Sequence, residues 1–155
     1  MTDDRTTQLD RMRYTKNTAS SRLALLAIVF DVLFFISIYK SDVGTYYYTI
    51  LIGASIIYNL VFLLATFLCS EGVKNYKTSY SWVMIGLGLG QILRIFIMPA
   101  DAHRTIVNGA AVMGDAQFIR VVIYLVASAV CLFAGAVINL KKSQALANYT
   151  ASLQA

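Results

Sequence analysis

The chain has 155 residues, of which 58% are hydrophobic and 14% are charged, and its formal net charge is +5. A soluble domain averages about 45–50% apolar and about 25% charged residues, so this sequence has too little polar material to cover a soluble fold. The same composition excludes a disordered chain. It also excludes a nucleic-acid-binding domain, because the few basic residues stand at the ends of apolar runs and form no patch. The composition therefore predicts an integral membrane protein, with membrane lipids among its partners.

Four apolar runs are each long enough to cross about 30 Å of hydrocarbon, which takes roughly 20 helical residues. They predict transmembrane helices at about 22–40, 46–70, 78–98 and 117–140. The runs are continuously apolar, whereas the strands of a membrane barrel alternate over about ten residues. We therefore predict an all-α membrane protein with four transmembrane helices in an antiparallel up-down bundle. This domain covers 22–142, between a basic tail at 1–21 and a tail at 143–155 that can continue the fourth helix.

Lysine and arginine in the short flanks indicate orientation, because the cytoplasmic side of a membrane protein carries the excess. Nine lysines and arginines lie in the flanks that the four predicted helices place on one side of the membrane, namely Arg5, Arg11, Arg13, Lys16, Arg22, Lys74, Lys77, Lys141 and Lys142. The other side carries Lys40 and Arg104. The imbalance predicts that both termini are cytoplasmic. No cleavable secretory signal is visible, so the first run is expected to act as an uncleaved anchor in the plasma membrane, which would be the inner membrane of a bacterium.

The long connection of the chain lies between the third and fourth runs, at 99–117. Asp101 is placed to cap a short helix, and Asn108-Gly109 predicts a stop. About half of this loop is apolar. We expect it to lie on the membrane surface or to fold over the end of the bundle, with His103 solvated.

Ionisable and amide side chains inside a bilayer are costly and usually face protein or water. Five of them are candidates for an ion pair, a polar contact or a ligand site: Asp31, Asn59, Gln91, Arg94 and Arg120. Asp31 and Arg94 are the natural partners, although a rise of 1.5 Å per residue sets their heights roughly 9 Å apart. Asp101 and Asp115 are alternative partners for Arg94. Without a cation, Asp31 is either a neutral acid bonded to Asn59 or a carbonyl, or a titrating site for protons or cations.

Arg94 and Arg120 suggest a second arrangement, because both are expected close beneath the outer interface. Two guanidinium groups in a partly dry pocket can bind a carboxylate or a phosphate through paired hydrogen bonds. The alternative is that Arg120 extends to the interface, where its charge is solvated.

Small residues indicate the helix faces that pack closely. Gly86 and Gly90 form a GxxxG pair in the third run, and Ala127, Cys131 and Gly135 recur at four-residue spacing in the fourth. Rows of this kind let backbones approach, and close packing is a main driving force for helix association in membranes. The pattern predicts helix-packing positions without showing whether the neighbouring helix belongs to the same chain.

Motifs of several enzyme classes are missing from the sequence. It contains no phosphate-binding or dinucleotide-binding glycine pattern, no HExxH and no CxxC. One histidine and two distant cysteines do not match a metal site or a disulfide framework. We therefore expect no enzymatic activity, no metal and no cofactor.

Three functions are compatible with these features. The first is a non-catalytic structural or accessory subunit of a larger membrane assembly, either a homo-oligomer or a transport or energy-converting complex with other membrane subunits. The second is a small transporter or channel, with a polar path through Asp31, Asn59, Gln91 and Arg94. The third is binding of an anionic lipid or another anion by the arginines of the outer leaflet.

Overall fold

A computed structural model of the chain describes residues 6–7, 16–38 and 46–152, with the backbone alone at 46–49. Its elements are helices α1 (Thr18–Ile38), α2 (Tyr46–Lys74), α3 (Thr78–Ile97) and α4 (Pro99–Arg104), strands β1 (Ile106–Val107) and β2 (Ala110–Ala111), and helix α5 (Asp115–Ser152). Helices α1, α2, α3 and α5 are long and apolar enough to cross a membrane. The 21 residues of α1 span about 30 Å, which matches the hydrocarbon thickness of a bilayer.

Several expectations concern residues outside those described. They are most of the predicted N-terminal tail at 1–21, the predicted end of the first helix at 39–40 with Lys40, and residues 153–155. These expectations stay predictions.

The long helices pack side by side as a bundle, which confirms the predicted all-α four-helix fold. Helix α5 packs along α1 and α3, while α2 packs along α1 and, less extensively, along α3. The start of α1 lies beside the end of α2, where the Asn17 N–H donates to Lys74 O over 3.0 Å. We call this the Asn17 end of the bundle. The opposite end, which carries α4 and the two strands, is the α4 end.

Helix α1 begins at Thr18, earlier than the predicted start near residue 22. The serines of its first turn are a polar flank in the sequence, but neighbouring helices satisfy their hydroxyl groups. Ser20 Oγ donates to Gly135 O over 2.6 Å, and Ser21 Oγ lies 2.8 Å from Ser70 Oγ. Hydrogen bonds between helices allow such polar residues to lie inside a membrane bundle.

Helix α5 begins at Asp115 and continues to Ser152, past the predicted end of the membrane span near residue 140 and into the tail that was expected to be able to continue it. Ser143 Oγ donates to Tyr76 O over 2.8 Å, in the turn that joins α2 to α3. Residues 144–152 therefore extend beyond the ends of α1, α2 and α3 by about 13 Å, at 1.5 Å per residue.

The predicted long loop forms a short helix and a hairpin. Pro99 opens α4 at a position where its missing N–H is not needed, and Asp101 lies in the first turn of α4 and not at its cap. Asn108 and Gly109, with φ of 53° and 81°, form the tight turn between β1 and β2. The predicted helix stop at this pair is therefore wrong, because an Asn-Gly pair with positive φ favours a two-residue hairpin turn.

The loop folds over the α4 end through Met113, which is buried against Phe34 and Val121. The hairpin itself points outward, with Ile106 72% exposed. His103 is half-buried and only partly solvated, because its ring stacks on Phe118 with 4.4 Å between the ring centroids.

The bundle is apolar outside and partly polar inside. Among the described residues, large exposed apolar side chains on α2 and α3 include Leu60, Val61, Leu64, Phe67, Leu93 and Phe96. Buried polar residues include Asn17, Ser20, Ser21, Asp31, Asn59, Thr66, Ser70, Ser81, Gln91, Arg94, Ser128 and Asn139. This distribution suits a hydrocarbon surrounding, where apolar surface needs no cover and polar groups must find partners within the protein.

Candidate functional site

Arg94 of α3 and Asp31 of α1 form a buried ion pair. Arg94 Nη1 donates to Asp31 Oδ1 over 3.0 Å. Only 1% of Asp31 and 6% of Arg94 are exposed. Because neither charge reaches solvent, loss of one partner would leave the other charge buried without compensation. The structure thus brings together the two residues that the sequence indicates as natural partners.

Gln91 lies one helical turn before Arg94 and contributes to the same contact. Its Nε2 donates to Asp31 Oδ1 over 2.9 Å and lies 3.5 Å from Ser128 Oγ on α5. Ser128 Oγ in turn donates to Ala27 O on α1 over 3.0 Å. Residues three apart share one face of a helix, so Gln91 and Arg94 reach Asp31 together.

Arg94 also connects α3 to α2. Its Nη2 donates to Ser55 Oγ over 2.7 Å, and its guanidinium carbon lies 4.2 Å from the centroid of Phe34 and 4.8 Å from that of Tyr58. A desolvated cation over an aromatic face is stabilised by about 2 kcal/mol. These contacts define a polar cluster that joins all four long helices: Asp31, Ser55, Tyr58, Gln91, Arg94 and Ser128.

The height difference expected between Asp31 and Arg94 is smaller in the structure. Asn139 hydrogen-bonds both Asn17 and the backbone of Lys77, so α1 and α3 begin at the same level. Counted from these starts, Arg94 lies only three residues further along its helix than Asp31 does, which is about 4.5 Å. The arginine side chain covers that distance, because helical side chains lean toward the N-terminus of their helix.

Asn59, the fourth residue of the predicted polar path, lies beside the polar cluster without bonding to it. It is 4% exposed and lines a cavity of about 80 Å³ together with Asp31. Among the described residues, neither amide atom of Asn59 has a hydrogen-bond partner, and the same holds for Asp31 Oδ2 and Gln91 Oε1. The bond between Asp31 and Asn59, which was the alternative for an Asp31 without a cation, is therefore not formed.

Arg120 lies apart from the polar cluster. It is exposed and lines a cavity of about 130 Å³ with Ser37 and Tyr124, whereas Arg94 lines a different cavity between α2 and α3. The two arginines therefore do not form the predicted joint anion pocket. Asp115 is not the partner of Arg94 either, because its side chain is 91% exposed.

The small-residue positions differ in what they face within the chain. Around Gly86, a Cβ would meet nothing within 4 Å. At Gly90 a Cβ would lie 2.7 Å from Tyr58 Oη, and at Gly135 it would lie 2.7 Å from Met84 Cε. Cys131 is buried and Ala127 is half-buried, both on α5. The predicted glycine row is therefore a packing surface only in part.

Gly88, which lies between the two predicted glycines, packs closely against α5. A Cβ on Gly88 would come within 2.8 Å of the Phe133 ring. The GxxxG spacing indicates Gly86 and Gly90 as packing positions and does not indicate Gly88. The buried residues Met84 and Gln91, spaced from Gly88 by four and three residues, were the signal that could have found it.

A second polar centre lies at the Asn17 end, where Asn139 of α5 joins three segments. Asn139 Oδ1 accepts from Asn17 Nδ2 over 2.9 Å, and Asn139 Nδ2 donates to Ser81 Oγ over 2.8 Å and to Lys77 O over 3.2 Å. The sequence places Asn139 at the end of the small-residue row without indicating this role. Its four-residue spacing from Gly135 was the available signal.

No protein-family model matches this sequence, and no match was found among curated proteins or among solved structures. In the described part of the chain, no three His, Cys, Asp or Glu side chains are grouped so that they could hold a metal ion.

Proposed function

We propose that this chain is a non-catalytic integral membrane protein that serves as a structural or accessory subunit of a larger membrane assembly. The observation that carries this proposal is the extension of α5, residues 144–152, beyond the bundle. Leu146 supplies an apolar side chain on this extension. A helix that continues beyond its own bundle with an apolar side chain offers a contact surface to another subunit.

The interior of the bundle supports a structural role. Each side chain of the polar cluster contacts a residue on a different helix, so the buried charge of Arg94 is used to join helices. Polar contacts between membrane helices are worth about 0.6 kcal/mol on average. Several of them in one cluster fix which helices are neighbours and in what register.

The same proposal includes an orientation. Lys74, Lys77 and Lys142 lie at the Asn17 end, and Lys142 Nζ donates to Asn17 Oδ1 over 3.3 Å. Arg104 lies at the α4 end. The positive charge at the Asn17 end supports a cytoplasmic location for it in a plasma membrane of the bacterial inner-membrane type, with both termini inside.

Affinity purification in a mild detergent tests the subunit proposal. The chain would carry a tag at its N-terminus, and Leu146→Glu would be compared with Asn148→Glu, which places the same charge on the exposed side of the extension. We expect a stoichiometric partner to co-purify with the unchanged chain and with Asn148→Glu, and to be lost from Leu146→Glu. A monomer without partners in all three preparations would contradict the proposal.

Transport is a second candidate, favoured by the unpartnered polar atoms of Asp31 and Asn59 beside one cavity. Buried polar groups without partners are rare and costly, and they often indicate a path for ions or protons. Vesicles containing the purified protein and a pH-sensitive dye would report proton movement under an imposed gradient. Flux that is abolished in Asn59→Leu favours transport, and a rate equal to that of protein-free vesicles rejects it. A clean homo-oligomer in the purification would also favour this candidate.

A further inference from the structure

The cavity between α2 and α3 has the shape and chemistry of a site for one membrane amphiphile. Its volume is about 220 Å³, and its walls are mainly apolar, with Leu51, Ile97 and Met98 among them. Arg94, Ser55 and Tyr58 supply the polar groups that line it. An apolar cleft with a few convergent polar groups is the usual form of a small-molecule site.

The cavity is accessible from the outside of the bundle. Helices α2 and α3 pack against each other less extensively than the other neighbouring long helices do. Ala54 and Ile97, which line the cavity, are exposed. A lipid molecule can therefore enter sideways, without crossing the packed interior.

The charge of Arg94 selects the kind of group that fits. Its hydrogen bonds to Asp31 and Ser55 use two of the five N–H groups that a guanidinium carries. Because Asp31 already balances the positive charge, the site does not require a full negative charge on its ligand. An oxygen acceptor, either a carboxylate or an ester carbonyl, suffices.

The depth of Arg94 matches such an acceptor. The Cα of Arg94 lies about 25 Å along α3 from Lys77, and its guanidinium leans back to Asp31, which leaves it in the outer third of a hydrocarbon core of about 30 Å. The oxygen-bearing ends of acyl chains lie at the boundary of that core. An acyl chain of the opposite leaflet from the Asn17 end thus places its oxygen near Arg94, beside Leu51 and Ile97, and its first carbons toward Gly90 and Tyr58.

We propose that the cavity between α2 and α3 binds the oxygen-bearing end of one acyl chain, with Arg94 donating a hydrogen bond to its carboxylate or ester carbonyl. Among the arginines that the structure describes, Arg94 lines this cavity and Arg120 does not. The proposal does not depend on the subunit function, because it concerns a ligand on the side of the bundle and not the extension of α5.

Photo-crosslinking in nanodiscs of diether phosphatidylcholine tests the proposal, since that lipid has no ester carbonyl. Three probes, each with a diazirine near the head of the chain, would be added separately at low mole fraction: a fatty acid, an ester phosphatidylcholine and an ether phosphatidylcholine. We expect the fatty acid or the ester probe to label peptides 50–58 and 90–98 at least fivefold more than the ether probe does. Labelling by the fatty acid alone identifies a free carboxylate as the ligand, and labelling by the ester probe as well identifies a phospholipid.

Two matched variants control for general contact with lipid. Ala54→Leu fills the cavity, while Gly53→Leu adds the same side chain one residue away, where a Cβ meets nothing within 4 Å. Labelling should fall at least fivefold in Ala54→Leu and stay unchanged in Gly53→Leu. Equal labelling by the ether probe, or full labelling of Ala54→Leu, would overturn the proposal and leave only lipid that surrounds the bundle without a site.

Discussion

Asn17 and Asn139 are joined by a hydrogen bond of 2.9 Å between their side chains, across 122 positions of the sequence. Both side chains are fully buried at the Asn17 end of the bundle. The contact holds the start of α1 against α5. Asn139 Nδ2 also joins α3 to α5, because it donates to Ser81 Oγ and to Lys77 O at the start of α3. Together with the polar cluster around Arg94, it fixes the register of the long helices at two heights.

Replacement of Asn139 by leucine should therefore lower the free energy of unfolding by about 1–3 kcal/mol. The substitution leaves the Asn17 amide and the Ser81 hydroxyl buried without this partner. Asn148→Leu is the matched control, because Asn148 is exposed on the same helix. The free energies would be measured by denaturation in mixed micelles, and equal losses in the two variants would show that the asparagine contact adds nothing.

A second prediction concerns the glycines of α3. Gly88→Leu should destabilise the chain by about 1–3 kcal/mol or more, because its side chain would collide with the Phe133 ring. Gly86→Leu should change the stability of the isolated chain by less than about 0.5 kcal/mol, since the space around it is open. The melting temperatures in detergent check both. A change in oligomeric state in Gly86→Leu, with unchanged stability, would show that Gly86 packs against another chain.

The proposed orientation is tested by labelling single cysteines with a membrane-impermeant maleimide. In a chain in which Cys69 and Cys131 are replaced by alanine, a cysteine at position 108 should be labelled in intact cells. A cysteine at position 148 should be labelled only after the membrane is permeabilised. Labelling at 148 in intact cells would contradict the orientation that the lysine and arginine distribution predicts.

The fold was predictable because a helix needs a minimum number of consecutive apolar residues to cross the hydrocarbon core of a membrane. Each of the long helices follows an apolar run of at least the length that crosses the hydrocarbon core. The helix ends were less predictable, because serines at the start of α1 count as polar in a sequence. Only the packed bundle shows that Gly135 and Ser70 satisfy them.

The candidate site was predictable in part. The pairing of Asp31 with Arg94 follows from the high free energy of a lone charge in hydrocarbon. The separation of Arg94 from Arg120 does not follow from the sequence, because height along a helix says nothing about the side of the bundle a residue faces. The hairpin turn at Asn108 and Gly109 was open to prediction, since an Asn-Gly pair between β-branched and small residues is a hairpin signal.

The most direct test of the structural role of the polar cluster is a double-mutant cycle on Asp31 and Arg94. Each of Asp31→Leu and Arg94→Leu should lower the free energy of unfolding in mixed micelles by about 3 kcal/mol, because each leaves one buried charge without its partner. The double variant should lose less than the sum of the two by at least about 1 kcal/mol, since it leaves no unpaired charge. Losses that add fully, or an Arg94→Leu variant as stable as the unchanged chain, would contradict the account.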